Sequence, residues 1–203
     1  MRLTITLLAS LVGVGLGTAV VPVANAADAA ALAAERCEAC HGKAGVTQRQ
    51  DIGSIAGSSA YYLQAQMEMY KSGERTGEKY QVEGQPETMN EVAKKLSDED
   101  IKALAEYYAE QPYKAYDQKV DKAQAAKGAK VNEAACENCH TEGGSVADDD
   151  AGILAGQPIE ALRLMFKQIG AGTRDFPKKM TSNFQKLSKE DQEALIQYYA
   201  SQQ

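Results

Sequence analysis

The sequence predicts an all-α protein made of two similar units in tandem. Three observations carry the prediction. The chain aligns with itself at a spacing of 99 residues, each copy holds a Cys-x-x-Cys-His run, and each ends in a helix introduced by a capping box. No convincing alternation of polar and apolar residues, the mark of a half-buried strand, interrupts the pattern.

The first apolar run stands outside this repeat. Arg2 supplies a short positive start, Leu3 to Val23 is almost wholly apolar, and Ala24-Asn25-Ala26 is an A-x-A cleavage site. A retained anchor would need no such site, so residues 1–26 are expected to be a signal peptide cut before Ala27. Cleavage leaves 177 of the 203 residues and takes the net charge from -6 to -7. A chain 44% apolar and 25% charged fits neither a collagen-like, a disordered nor a multi-span membrane protein. Its acidity argues against nucleic acid as a partner, because phosphate binding needs clustered Lys and Arg.

The two repeats then absorb all the cysteine and histidine chemistry. Every Cys and both His lie in Cys37-Glu38-Ala39-Cys40-His41 and Cys136-Glu137-Asn138-Cys139-His140. In an exported chain four Cys would ordinarily form two disulfides. A thiol redox pair would not need a following His twice, and zinc knuckles rarely repeat in this form. Two thiols three positions apart can instead add to the two vinyl groups of one haem while the adjacent His ligates the iron. Two covalently bound haem c groups are therefore expected.

At the spacing of 99, Cys37 maps to Cys136, Ala56-Gly57 to Ala155-Gly156, Leu63 to Leu162, Gly73 to Gly172 and Arg75 to Arg174. Beyond that point the spacing falls to 91, carrying Met89 to Met180, Leu96-Ser97 to Leu187-Ser188 and Tyr107-Tyr108-Ala109 to Tyr198-Tyr199-Ala200. The first copy thus holds an insertion of eight residues between Arg75 and Met89. Helices are expected from about Asp28 and about Lys122 into the motifs, over Ala60 to Lys71 and over Ile159 to Ile169. The last helix of each copy starts at Ser97-Asp98-Glu99-Asp100 or Ser188-Lys189-Glu190-Asp191. In the first copy Ile101, Leu104, Ala105 and Tyr108 then form its apolar stripe. Gln111-Pro112 stops the first copy, which places domains at 27–111 and 122–203 with a linker at 112–121. Units this small bury little apolar surface, so each should need its haem as core and the apo-chain should fold poorly.

With both His committed, the sixth iron ligand is left to Met, Lys, Tyr, an amino terminus or an open site. The repeat favours Met89 and Met180, the only Met residues that map onto each other. Each is expected on a loop before the last helix, some 40 to 50 residues beyond its His. Met67, Met69 and Met165 read as core fillers inside helices. The Tyr pairs read as packing, and Asp148-Asp149-Asp150 as an exposed loop rather than a cation site.

Two Cys-x-x-Cys-His units, each with a Met before a Leu-Ser-x-Glu-Asp-type helix ending in Tyr-Tyr-Ala, resemble tandem class I cytochrome c domains of the dihaem c4 type. The second half is especially similar to the haem subunit of flavocytochrome c sulfide dehydrogenase. The residues that carry this are Cys136 to Gly144, the acidic loop at Asp148, Ile153-Leu154-Ala155-Gly156-Gln157, Lys178-Lys179-Met180 and the terminal Tyr199 to Gln203, together with the Tyr113 to Asp121 linker. The resemblance implies haem sites at Cys37, Cys40, His41 and Met89 and at Cys136, Cys139, His140 and Met180. It also implies a separate FAD-containing partner subunit that oxidises sulfide, while this chain passes single electrons to a soluble or membrane carrier. Class I cytochromes commonly orient the proximal His with the carbonyl of a loop Pro. Neither Gly42 to Ile55 nor Thr141 to Leu154 contains Pro, which leaves that acceptor open.

Three roles follow: a non-catalytic electron-accepting subunit of a flavoprotein complex, a free periplasmic c4-type carrier, or a dihaem enzyme. The last is disfavoured. Peroxidases are usually longer and need an exchangeable sixth site, and no free Cys remains for a Cys-ligated haem. No residue is assigned a catalytic role, FAD is expected only on the partner, and no stable membrane insertion is expected after cleavage.

Overall fold

The computed structural model describes residues 26–82, 84–174 and 176–202; the expected signal peptide lies outside them except for Ala26. The first half comprises α1 (Ala26–Arg36), α2 (Glu38–His41), α3 (Ala60–Ser72), β1 (Tyr80–Val82), β2 (Gln85–Glu87), α4 (Met89–Lys94) and α5 (Asp98–Ala109). The second comprises α6 (Lys122–Ala135), a turn α7 (Thr141–Gly144), α8 (Ile159–Ala171), α9 (Lys178–Gln185) and α10 (Lys189–Ser201). The fold is thus helical, as expected, and no described helix is long and apolar enough to cross a membrane.

The helix ends follow from local chemistry. Ser97 Oγ accepts from Asp100 N at 3.0 Å while Asp100 Oδ2 accepts from Ser97 N at 3.0 Å, and Ser188 and Asp191 repeat the exchange. Each box satisfies amide groups that the helix start would leave unpaired. The middle helices α3 and α8 both end on a left-handed glycine, Gly73 and Gly172.

In each half the last helix packs on the first, α5 on α1 and α10 on α6. Ile101, Leu104, Ala105 and Tyr108 meet Ala33, Leu63 and Leu96 in the first core. Leu162, Phe166, Leu195 and Tyr199 lead the second, where Phe166 and Phe184 meet edge to face. Gly128 lets α6 approach α10 closely: a Cβ there would stand 2.1 Å from the Ala194 carbonyl oxygen.

Two expectations need correction. No strand was expected, yet in the insertion of the first half Tyr80 to Val82 pairs antiparallel with Gln85 to Glu87, a hairpin whose three-residue strands are too short to show alternation. Nor do the paired methionines lie on loops. Met89 opens α4, where Thr88 and Glu91 form a capping box, and Met180 is the third residue of α9. The Thr88-x-x-Glu91 spacing was a legible signal for the first of these.

Residues 112–121 are extended and fastened to the second half. Tyr116 N donates to Gly156 O at 2.8 Å, Gln118 Nε2 to Gln157 O at 2.8 Å, and Asp121 N to Gln197 Oε1 at 2.9 Å. Tyr113 hydroxyl also donates to the Ala155 carbonyl. The halves meet directly as well. Gln157 accepts from Ser54 N at 2.9 Å and donates to Ser54 O at 3.0 Å, and Ala161 N donates to Gln50 O at 3.0 Å.

Candidate haem-binding centres

Both Cys-x-x-Cys-His motifs form one tight turn at the end of a helix. Cys37 N donates to Ala33 O at 2.9 Å and His41 N to Cys37 O at 2.9 Å; Cys136 N donates to Asn132 O at 2.8 Å and His140 N to Cys136 O at 3.0 Å. This turn gathers residues i, i+3 and i+4 on one side, which is what two thioethers and one iron ligand on a single ring require.

A residue inside each motif holds the turn that follows, a role the sequence reading missed. Glu38 Oε1 accepts from Ala44 N at 3.0 Å, and Glu137 Oε1 accepts from Glu142 N at 2.9 Å. Ala44 and Glu142 have φ of 54° and 51°, a left-handed conformation that costs a side-chain-bearing residue energy unless its surroundings fix it. In the second half Glu137 is itself held by Asn132, whose Oδ1 accepts from the Tyr199 hydroxyl at 2.7 Å. Ala33 stands at the position of Asn132 in the first half, and there the Tyr108 hydroxyl has no amide to bind and lies against the Cys37 thiol.

Cys37, Cys40, His41 and Met89 line one cavity of about 280 Å³, with Ile52, Leu63, Met67 and Leu104 among its apolar walls. His41 is partly buried, and desolvation lowers the pKa of its imidazole. Its Nδ1 lies 3.0 Å from the Gly53 carbonyl oxygen. A carbonyl only accepts, so Nδ1 carries the proton and Nε2 keeps a lone pair for a metal. Gly53 therefore takes the place of the missing loop proline. In the second half Cys136 and Met180 both pack against the same apolar cluster, while His140 is buried with its Nδ1 lacking a protein partner. Burial lowers the His140 pKa too.

Burial pushes Cys37 up to about 11 and also raises Cys40 and Cys136, whereas a reactive pair needs a stabilised thiolate.

Between the halves, Arg75 and Arg174 lie side by side on the cavity wall. Gln66 Oε1 accepts from both, at 2.7 Å and 2.8 Å, and Arg174 also donates to the Tyr62 hydroxyl at 3.2 Å. Neither guanidinium is paired with a carboxylate among the described residues, and both Nε atoms are buried without a partner. Desolvation and the neighbouring Arg174 charge lower the pKa of Arg75. Although burial raises the Tyr62 hydroxyl, the two guanidiniums outweigh it and hold its pKa below the usual range. Arg174 is buried and Arg75 partly so, and two adjacent cations with no carboxylate beside them among the described residues are costly; the carboxylates of a haem would relieve them. The apolar walls, the oriented imidazole and this cationic edge all fit haem.

The acidic loop is structural. Asp149 Oδ2 accepts from Thr141 N and Oγ1 at 2.7 Å each, bracing the residue after His140, and Asp150 accepts from Ser59 Oγ across the halves. Met67 and Met165 sit at cavity walls and core, as fillers do.

Comparison with known proteins agrees with this geometry. Residues 26–110 match the family model "Cytochrome c", and residues 123–198 match "Cytochrome C oxidase, cbb3-type, subunit III". The chain is thus a dihaem cytochrome c electron-transfer protein with two cytochrome c domains and two covalently bound haems. It is 31% identical to cytochrome c4 of Pseudomonas aeruginosa over 85% of this chain and 88% of that one, and so belongs to the cytochrome c4 family. The structure of reduced cytochrome c4 from Pseudomonas stutzeri superposes with a TM-score of 0.74, at 26% identity, covering 88% of this chain and 99% of that one. A thiosulfate dehydrogenase electron acceptor of Stutzerimonas stutzeri is 36% identical over 36% of this chain, a match that spans only 31% of that protein. The thiosulfate dehydrogenase (TsdBA) structure from Marichromatium purpuratum matches with a TM-score of 0.67 and 28% identity, over 82% of this chain and 36% of that one.

Proposed function

We propose that this chain is the exported electron acceptor of a separate sulfur-oxidising enzyme, taking electrons one at a time and passing them to an external carrier. The observation that carries it is the duplication of one arrangement: a Cys-x-x-Cys-His turn in each half, with a His whose pKa desolvation lowers and an aligned Met. Cys37 and Cys40, and Cys136 and Cys139, are the attachment residues. His41 with Met89 and His140 with Met180 are the iron ligands. Bound haem c supplies a one-electron Fe(III)/Fe(II) couple. The chain's own residues orient the His41 imidazole through the Gly53 carbonyl, supply apolar walls and neutralise carboxylates at the Arg75 and Arg174 edge.

The names of the thiosulfate dehydrogenase relatives support association with a redox enzyme. The second-half resemblance makes an FAD-containing sulfide-oxidising subunit the first partner to test, with FAD on that subunit alone. On this reading residues 1–26 direct export to the periplasm, 27–111 and 122–203 are the two domains, and 112–121 joins them. The extent of likeness to cytochrome c4 supports a second reading, a free dihaem carrier.

The test is purification from the native source under mild conditions, followed by sulfide-dependent and thiosulfate-dependent haem reduction with and without copurifying protein. A copurifying flavoprotein that sulfide requires for haem reduction supports the subunit. A homogeneous protein with no associated enzyme supports the free carrier. Rapid turnover of sulfide by the isolated chain overturns both.

A further inference from the structure

The peptide unit that orients His41 is held from both halves at once. Its carbonyl, on Gly53, accepts from His41 Nδ1 at 3.0 Å. Its N–H, on Ser54, donates to the side-chain oxygen Oε1 of Gln157 in the second half at 2.9 Å. One planar amide therefore stands between the first imidazole and a side chain 103 positions beyond Ser54.

The Gln157 carboxamide has one orientation that satisfies its neighbours. Nε2 donates to Ser54 O at 3.0 Å and to Ile153 O at 3.1 Å, and carbonyls only accept, so Oε1 must be the atom that meets the Ser54 N–H. Gln157 and Ser54 are both 7% exposed, which keeps the contact out of bulk water. Gly53 permits the close approach: a Cβ there would stand 3.3 Å from Gln157 Oε1. On its other side the loop is held by the hairpin at the cavity rim. Tyr80 hydroxyl donates to Asp51 O at 3.1 Å, and Arg49, which grips Asp51, lies 5.3 Å over the Tyr80 ring. The second half has no such relay. Ser58 occupies the position of Gln157 and Ile153 that of Ser54, and His140 Nδ1 lacks a protein partner.

We propose that Gln157 is a positioning residue for the first haem: it polarises the Gly53–Ser54 peptide, strengthens the carbonyl that accepts from His41, and so lowers the reduction potential of that haem alone. The inference rests on His41 as the first iron ligand. Hydrogen bonds on the two sides of one amide reinforce each other, by roughly 10–30% per bond. A stronger acceptor draws on the Nδ1 proton and leaves Nε2 more electron-rich, and an electron-rich ligand favours Fe(III) over Fe(II). The seating of the second half is thereby felt at the first haem through one side chain, and no matching contact reaches His140.

The test is a redox titration of the holoprotein followed by NMR, which reads each haem separately. Gln157→Met keeps the bulk and removes the polar atoms. It should favour reduction of the first haem by about threefold, or about 28 mV at about 59 mV per tenfold for one electron. The His41 Nδ1–H resonance of the reduced protein should move upfield, and the second haem should not change. Gln157→Glu still offers Ser54 N an oxygen in either protonation state, so the first potential should stay at or below that of the wild type. Ser59→Gly breaks the separate contact with Asp150 across the halves and should leave both potentials in place. An unchanged first potential and Nδ1–H resonance in Gln157→Met would overturn the proposal, as would a rise in Gln157→Glu equal to that in Gln157→Met. An equal rise in Ser59→Gly would also overturn it, since loosening of the interface would then be the cause. Absence of His41 ring protons from the hyperfine-shifted region of the oxidised wild type would instead remove His41 as ligand, an outcome distinct from unchanged potentials with those protons present.

Discussion

Arg75 and Arg174, equivalent residues 99 positions apart, pair with each other in an antiparallel bridge and share the Gln66 side-chain oxygen. A local two-fold relation therefore runs between the halves and places two like charges against each other. Such a contact persists when something anionic is supplied to it, and the cavity wall is where haem carboxylates would arrive. The rest of the interface is not symmetric. Gln157 bridges to Ser54 in one direction only, because its counterpart at position 58 is a serine too short to reach back.

Met89→Ala and Met180→Ala should each change the spectrum and lower the potential of one haem, leaving the other unchanged. Redox titration followed optically checks this. A variant with both haems as in the wild type removes that Met from the ligand set.

Gln157→Ala removes both hydrogen bonds to the Ser54 backbone and leaves those groups buried and unpaired. A loss of roughly 1–3 kcal/mol of stability is expected. Calorimetry of the holoprotein should then show the halves melting at separated temperatures, where the wild type melts more nearly together.

Ser188→Ala breaks the capping box of α10 and should cost about 1 kcal/mol. Ser97→Ala should cost the same in α5, because both boxes have the same geometry. Denaturant titration gives both values, and no effect at either site would mean the helices are held by packing alone.

If each small helical unit uses its haem as core, replacing Cys136 and Cys139 by Ala should unfold mainly the second half. Circular dichroism that retained full helicity in this variant would contradict the expectation.

The Arg49 hydrogen bonds hold the Asp51 pKa below the usual aspartate value. A depressed folded-state pKa contributes stability above the unfolded value, and that stability is lost as pH falls through the folded one. Acidification below the ordinary aspartate pKa of about 3.9 should therefore loosen the tie between Arg49, Asp51 and Tyr80. Amide exchange at Tyr80 to Val82 should rise there first, and Asp51→Asn should show the same fast exchange at neutral pH.

What was readable in the linear chain was whatever depends on neighbours. The helical fold, the two Cys-x-x-Cys-His turns and the boxes at Ser97 and Ser188 rest on spacings of three or four residues, and such spacings are visible in sequence. The pairing of Met89 with Met180 was legible for another reason, that a duplicated chain annotates itself. The helices that carry both methionines are less legible, and only Thr88-x-x-Glu91 marks a helix start.

Only the tertiary structure decided the rest. No local rule makes Gly53 the acceptor for His41, twelve positions away, or brings Arg75 against Arg174. An insertion of eight residues announces extra chain but not its direction; the hairpin lies over the first rim because Tyr80 reaches Asp51 and Glu87 reaches Lys95. Linker residues 112–121 looked merely polar, yet their backbone groups find partners on the second half. Those contacts join groups far apart in sequence, and each forms only when helix packing has brought them within hydrogen-bond reach, which is why sequence spacing carries no trace of them.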